Sequence, residues 1–219
     1  GNAGHYCLTL EGTKGALITG CSVENSQGGG LSILLGSSGV TIERCRILPG
    51  IGAAYPKYPK AGIQVCGADN VIRHNVIQGT AYANPGIVLY AYTFRSFAQH
   101  CIGNRVEFNV FQRCGGPAII LNKKDVCINE NNTFANNILV ENNQQEHPYY
   151  GRAAIVFDDY HAAGNNKWND SLNGNIIAGN VYSGDECVLV QAVSGFPQNK
   201  KVVKLREFGY GNENINVFR

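Results

Sequence analysis

The sequence predicts an all-β protein wound as a parallel solenoid of about seven coils with loop insertions. Three observations carry that expectation: a recurring hexapeptide, a short apolar strand upstream of most copies, and a composition rich in Gly (27 residues) and visibly rich in Asn. Gly and Asn weaken helix interiors and tolerate the left-handed backbone of tight turns. With 44% hydrophobic and only 16% charged residues, the chain is neither a charged rod nor a disordered tail. Residues 1–219 are read as one domain.

The hexapeptide runs apolar, any, any, Asn or Cys, any, apolar. It reads Ile18-Thr19-Gly20-Cys21-Ser22-Val23, Ile42-Glu43-Arg44-Cys45-Arg46-Ile47 and Ile72-Arg73-His74-Asn75-Val76-Ile77. It returns as Val106-Glu107-Phe108-Asn109-Val110-Phe111, Phe134-Ala135-Asn136-Asn137-Ile138-Leu139 and Ile177-Ala178-Gly179-Asn180-Val181-Tyr182. A fixed spacing of this kind is the mark of stacked supersecondary units. The upstream strands include Leu31-Ser32-Ile33-Leu34-Leu35, Ile63-Gln64-Val65-Cys66, Ile87-Val88-Leu89-Tyr90, Ile119-Ile120-Leu121-Asn122 and Ile155-Val156-Phe157-Asp158. Alternation within them points Ile63 with Val65, Ile87 with Leu89 and Ile155 with Phe157 to one side, as inward stacks. Gln64, outward by the same count, is expected to tolerate replacement.

The recurrent Asn needs a turn, where its amide bonds the next coil and its backbone tolerates left-handed φ. Asn75, Asn109, Asn137 and Asn180 are therefore expected to form an internal ladder, with Cys21 and Cys45 replacing Asn as small buried residues in the first coils. Cys101, Cys114 and Cys127 flank irregular segments and are the better disulfide candidates.

The stretches Asn70-Val71-Ile72-Arg73-His74-Asn75-Val76-Ile77 and Gly103-Asn104-Arg105-Val106-Glu107-Phe108-Asn109-Val110-Phe111 resemble right-handed parallel β-helix repeats. Ala154-Ile155-Val156-Phe157-Asp158-Asp159-Tyr160 resembles a strand and acidic turn common in such proteins. The resemblance covers about residues 5 to 190 and is to the pectate-lyase-like superfamily. It implies a right-handed β-helix, and it implies secreted polysaccharide lyases, hydrolases and epimerases, or phage tailspikes, as the functional range. The repeat residues are structural, so the resemblance speaks to fold far more than to activity.

Function is expected on insertions that interrupt the period, at 51–60, 91–101, 144–152 and 160–174. Stacked on one side, these would wall a groove suited to a long polymer. Tyr90, Tyr92, Arg95, Arg152 and Trp168 are the candidate substrate-binding residues, because aromatic rings stack on sugar faces and cations meet acidic groups. Aligned coils put Cys66, Tyr90, Asn122 and Asp158 in one outward column, with Lys123 and Asp159 one position on. Asp158, Asp159, His161 and Lys123 are the candidate catalytic residues: a lyase needs a base and a cation beside a uronate, and a hydrolase two carboxylates about 5 to 9 Å apart. Asp158 and Asp159 in one strand would point oppositely, and a paired Asp at a strand end equally serves to end the strand and solvate a turn.

No metal-ligand spacing occurs, and no cofactor is implied; calcium could be taken only at Asp158 and Asp159, without a dense acidic loop to support it. No basic run interleaved with aromatics points to nucleic acid, and no apolar run reaches the roughly 20 residues of a membrane span. The eight Cys and the sequons at Asn131 and Asn169 lean toward an extracellular or periplasmic location. Gly1 is no natural start, the chain has no Met, and no capping helix precedes the first strand, so a piece of a longer chain is expected. Uncapped coils invite end-to-end or homo-oligomeric contacts. Two functions follow: a carbohydrate-active protein with a polysaccharide partner, or a structural or adhesive solenoid of a fibre, tailspike or extracellular filament.

Overall fold

The structure is a computed structural model that describes residues 6–24, 28–48, 60–80, 83–94, 96–124, 127–144, 150–160, 174–183, 188–194, 201–203 and 215–216. Three sheets run the length of the molecule, and the chain visits them in turn. The first holds the longer strands: Leu8–Glu11, Leu31–Ser38, Ile63–Ala68, Ile87–Phe94, Ile119–Lys124, Ala153–Tyr160 and Val188–Ser194, each parallel to the next. The second stacks three-residue strands such as Thr41–Glu43, Val71–Arg73, Arg105–Glu107 and Thr133–Ala135. The third stacks Arg46–Leu48, Val76–Gln78, Val110–Gln112 and Ile138–Val140. Among the described residues there is no helix, and so none long and apolar enough to cross a membrane.

The hexapeptide spans the second strand, a corner and the third strand. Its two apolar ends point inward: Ile42, Ile72, Val106, Phe134 and Ile177 on one sheet meet Ile47, Ile77, Phe111 and Leu139 on the next. The long strands close the core with Ile63, Ile87, Ile119 and Ile155 stacked in register, and Val65, Leu89, Leu121 and Phe157 one pleat on. The small residue before each long strand has a steric cause. A Cβ at Gly30, Gly62 or Gly86 would come within 2.4 to 2.7 Å of the carbonyl oxygen of Gly62, Gly86 or Ala118 on the next rung.

The expected Asn ladder is present. Asn75 Nδ2 donates to Asn109 Oδ1 at 3.0 Å, Asn109 to Asn137 at 3.1 Å and Asn137 to Asn180 at 2.9 Å. A second ladder stands at the preceding corner, where Asn70, Asn104, Asn132 and Asn175 are linked at 2.8 to 2.9 Å. A third corner carries Thr80, Cys114 and Asn142, with Asn142 Oδ1 accepting the Cys114 N–H at 3.0 Å. The left-handed residue is the one before the ladder position, not the ladder Asn itself. Arg44, His74, Phe108 and Asn136 at the ladder first expected, and Asp69 and Asn131 at its neighbour, have φ near +55°. The chain turns on that residue, and the next side chain swings inward to bond the neighbouring rung.

Two further expectations are corrected. Cys21 is exposed, whereas Cys45 is buried, because Cys21 lies on the outermost described rung. Cys101, Cys114 and Cys127 are buried free thiols of the core, not disulfide partners, and Cys101 Sγ donates to the Val65 carbonyl at 3.2 Å. Lys201–Val203 is not a further coil. It pairs antiparallel with Val188–Ser194, and Phe97–Gln99 likewise folds back antiparallel on the end of Ile87–Phe94.

Candidate functional site

Parallel register turns each outward position of the long-strand sheet into a line of side chains about 4.8 Å apart. The first line runs Gln64, Val88, Ile120, Val156. Tyr150 and Ala153 pack on Val88, Ile120 and Val156 as a second apolar cluster on the outside of the solenoid. The second line runs Tyr90, Asn122, Asp158, as the aligned coils predict.

Asp158 is fully buried in that line. Its Oδ2 accepts the Tyr150 hydroxyl at 2.6 Å and Asn122 Nδ2 at 2.8 Å. Burying a carboxylate is costly unless donors replace water, and these two do so. Burial, and then the neighbouring Asp158, push the Tyr150 phenol well above its ordinary range, so it stays protonated and donates. Because Asn122 Nδ2 faces the carboxylate, Oδ1 faces away, buried and without a hydrogen-bond partner.

The same face continues over earlier rungs. The Tyr90 and Tyr92 rings stack with centroids 4.4 Å apart. Burial raises the Tyr92 phenol, and the Gln99 and Gln64 amides beside it moderate the rise. Gln99 is held by its Oε1, which accepts the Leu35 N–H at 2.8 Å where Leu31–Ser38 shifts register and Leu35 turns left-handed at φ 51°. Gln99 Nε2 lies toward Tyr92 but completes no hydrogen bond. Beyond it, Tyr6 Oη donates to Gln64 Oε1 at 2.7 Å, Gln64 Nε2 donates to Cys66 Sγ at 3.4 Å, and Ser32 Oγ is buried without a partner. Burial pushes the Cys66 thiol up to about 12, so it behaves as a neutral packing group. Gln64 is thus tied into the face, contrary to the expectation of a free outward position.

The sequence-nominated residues divide. Tyr90, Tyr92 and Asp158 come together, with Asn122. Lys123 stands on the inward alternation with Leu121 and is 1% exposed; its register partner is Asp159, of which only the backbone is described. Lys123 and Asp158 therefore lie on opposite sides of the sheet. Arg152 is half-buried beside Ala153. Arg95, His161, Trp168 and Asn169 lie outside the described residues. Asn131 is exposed at a corner, against Gly174, and Asn132 of the same sequon is a ladder residue. Among the described residues no group of three or more His, Cys, Asp and Glu side chains is arranged to hold a metal ion. Tyr6, Gln64, Gln99 and Tyr150 enter the face without having been nominated; for Gln64 the signal was its outward phase beside Tyr90.

Stacked parallel rungs, three sheets and asparagine-lined corners define a parallel β-helix. The chain belongs to the right-handed β-helix family, whose model for the right handed beta helix region matches residues 2–193. No curated protein and no solved structure matches it.

Proposed function

We propose that this β-helix is an extracellular or periplasmic carbohydrate-binding protein that holds a polysaccharide along the outer face of the long-strand sheet. The observation that supports this most is the stacked Tyr90–Tyr92 pair standing in line with Asn122 and Asp158, flanked by buried polar atoms with no partner. Tyrosines supply flat apolar area with a polar edge, and amides supply the directional bonds that a hydroxyl-rich chain requires. From the Ile63–Ala68 strand to the Ala153–Tyr160 strand the face spans three strand steps, roughly 14 Å, enough for several sugar rings. Asp158, sealed beneath Tyr150, positions Tyr150 and Asn122 rather than touching the chain. Cleavage or epimerisation would have to draw on Asp159 or His161 among the residues nominated from the sequence, because Lys123 is buried on the opposite side of the sheet.

Affinity electrophoresis against a panel of polysaccharides tests the reading. Tyr90→Ala with Tyr92→Ala should weaken binding about tenfold, the worth of roughly 1.4 kcal/mol of stacking. Ultraviolet absorbance and reducing-end assays on the same mixtures report lyase or hydrolase activity. Binding unchanged in the double variant would remove this face from consideration.

A second reading, a structural solenoid that assembles end to end, is favoured by Leu8 and Leu17 on the first described rung, 41% and 61% exposed. Open strand edges bearing apolar side chains recruit further strands. Sedimentation across a concentration series should then show growing species that Leu17→Lys suppresses; a constant monomer would sink it.

A further inference from the structure

The strand Ile87–Phe94 outruns the rungs beside it. Its parallel pairing stops at Leu89 on one side and at Ala91 on the other, and Phe97–Gln99 then folds back on its end as an antiparallel hairpin. Ser96, at φ 70°, turns the chain between the two. The register sets Tyr92 opposite Gln99, Thr93 opposite Ala98 and Phe94 opposite Phe97. Opposed residues of an antiparallel pair share a face, and so do alternate residues of a strand. Tyr90, Tyr92, Gln99 and Phe97 therefore stand on one side of the sheet, in keeping with the Gln99 amide beside the Tyr92 phenol. Thr93 and Ala98 stand on the other.

The hairpin is held at its base. Gln99 is 4% exposed with Oε1 accepting the Leu35 N–H at 2.8 Å, and on the underside the Thr93 hydroxyl lies 3.8 Å from Cys127 Sγ. The tip is the reverse. Phe97 is 70% exposed, more than any other large apolar side chain among the described residues. A ring so open buries little apolar area, so it adds little to folding. It does add a third aromatic ring on the side that carries the Tyr90–Tyr92 stack. Measured along the strand, the positions of Tyr90, Tyr92 and Phe97 cover four residue steps, roughly 13 Å.

Burial of the same face sets a direction. In the line across the rungs, Cys66 before Tyr90 and Asp158 beyond Asn122 are both fully buried. A ligand lying across the rungs meets closed positions at either end. One lying along the strand passes from the half-buried tyrosines to the open Phe97 ring. We infer that Phe97 is a sugar-stacking residue that extends the Tyr90–Tyr92 platform sideways, and that a bound polysaccharide leaves the tyrosines along the strand, over the hairpin. This rests on the polysaccharide-binding reading above and narrows it to a further residue and a path.

The experiment titrates the whole chain with a β-glucan, a xylan, a galactomannan, polygalacturonate and alginate, and then the variants with each polymer that the wild type binds. Phe97→Ala and Phe97→Leu should each weaken binding about fivefold, and Phe97→Trp should keep it. All three should melt as the wild type does, and the leucine variant separates a flat ring from apolarity alone. Oligosaccharides cut from the same polymer, too short to reach past the tyrosines, should lose the dependence on Phe97 and keep that on Tyr90 and Tyr92. Wild-type affinity in Phe97→Ala, beside weakened binding in Tyr90→Ala with Tyr92→Ala, would overturn the inference and leave polysaccharide binding standing. So would a Phe97→Ala variant that alters sedimentation and not affinity, which would make Phe97 a contact between copies. Failure of every polymer to bind would remove both.

Discussion

Replacing Asn109 with Ala removes a side chain that serves three rungs at once. Its Oδ1 accepts the Asn75 backbone N–H at 3.0 Å and Asn75 Nδ2 at 3.0 Å. Its Nδ2 donates to the Ile72 carbonyl at 2.9 Å and to Asn137 Oδ1 at 3.1 Å. Not all of these partners are stranded by the change. Asn137 Oδ1 keeps the Asn109 backbone N–H at 3.0 Å, and Asn75 Nδ2 keeps the Ile42 carbonyl at 2.9 Å. The Asn75 N–H and the Ile72 carbonyl lose the only side-chain partner they have in the ladder, inside a core closed to water. At about 1 to 3 kcal/mol for each stranded buried group, the loss should be about 2 to 5 kcal/mol.

Gln112→Ala on the neighbouring strand, half-buried and outward, should cost within about 0.5 kcal/mol. Urea unfolding followed by far-ultraviolet circular dichroism gives the totals. Hydrogen exchange at the Asn75 amide gives the local effect, since that N–H should lose protection before its neighbours. A loss below about 1 kcal/mol with the Asn75 amide still protected would show that the ladder is a passenger of the stacked strands rather than a source of their stability.

Other outcomes follow from the same contacts. Cys66 and Cys114 have thiols pushed from 9.0 to about 12 by burial, so their protonated contribution is whole below about pH 9 and is lost as pH rises toward 12. Each should cost about 1.4 kcal/mol by pH 10, and equal urea midpoints at pH 8 and pH 10 would contradict this. Tyr150→Phe removes one of the donors that serve the buried Asp158 carboxylate and should destabilise by about 1.5 to 3 kcal/mol; an unchanged melting temperature would mean the carboxylate is otherwise served. Phe157→Ala should cost about 3 to 5 kcal/mol because its side chain is fully buried, while Phe97→Ala, at 70% exposure, should cost little. Comparable losses at the two would refute the inward and outward assignment.

The hexapeptide was legible because its apolar ends and its central Asn answer to geometry that every rung shares. Asn75, Asn109, Asn137 and Asn180 could be placed in a ladder from spacing alone. The companion ladder of Asn70, Asn104, Asn132 and Asn175 carried the same signal five residues upstream, but it sits between strands that do not share the hexapeptide's period. The left-handed corner escaped because it falls on residues as unlike as Arg44, His74 and Phe108. Left-handed φ disfavours such side chains, and although Gly20, Asn136 and Gly179 take the turn on other rungs of the same corner, the residue preference is broken on these three. Here the inward Asn beyond the corner dictates the turn, and the turning residue merely has to be outside. The cysteines misled for a related reason: interrupted periodicity around Cys101, Cys114 and Cys127 suggested exposed irregular segments, while the chain returns each thiol to the core.

The candidate site was half legible for the same physical reason. Outward positions on successive long strands must line up once the inward ones do, so Tyr90, Asn122 and Asp158 follow from Leu89, Leu121 and Phe157 by a step of one residue. That step also separates Lys123 from Asp158, since adjacent residues of a strand face opposite ways. Tyr150, Gln99 and Tyr6 reach the face by folding across rungs, and nothing in the repeat registers how far such a segment reaches. The charge on the face is thereby set by packing rather than by the repeat. A carboxylate that the strand alone would leave in water is sealed by Tyr150 and holds Asn122 by its Nδ2, which leaves the amide oxygen buried without a hydrogen-bond partner.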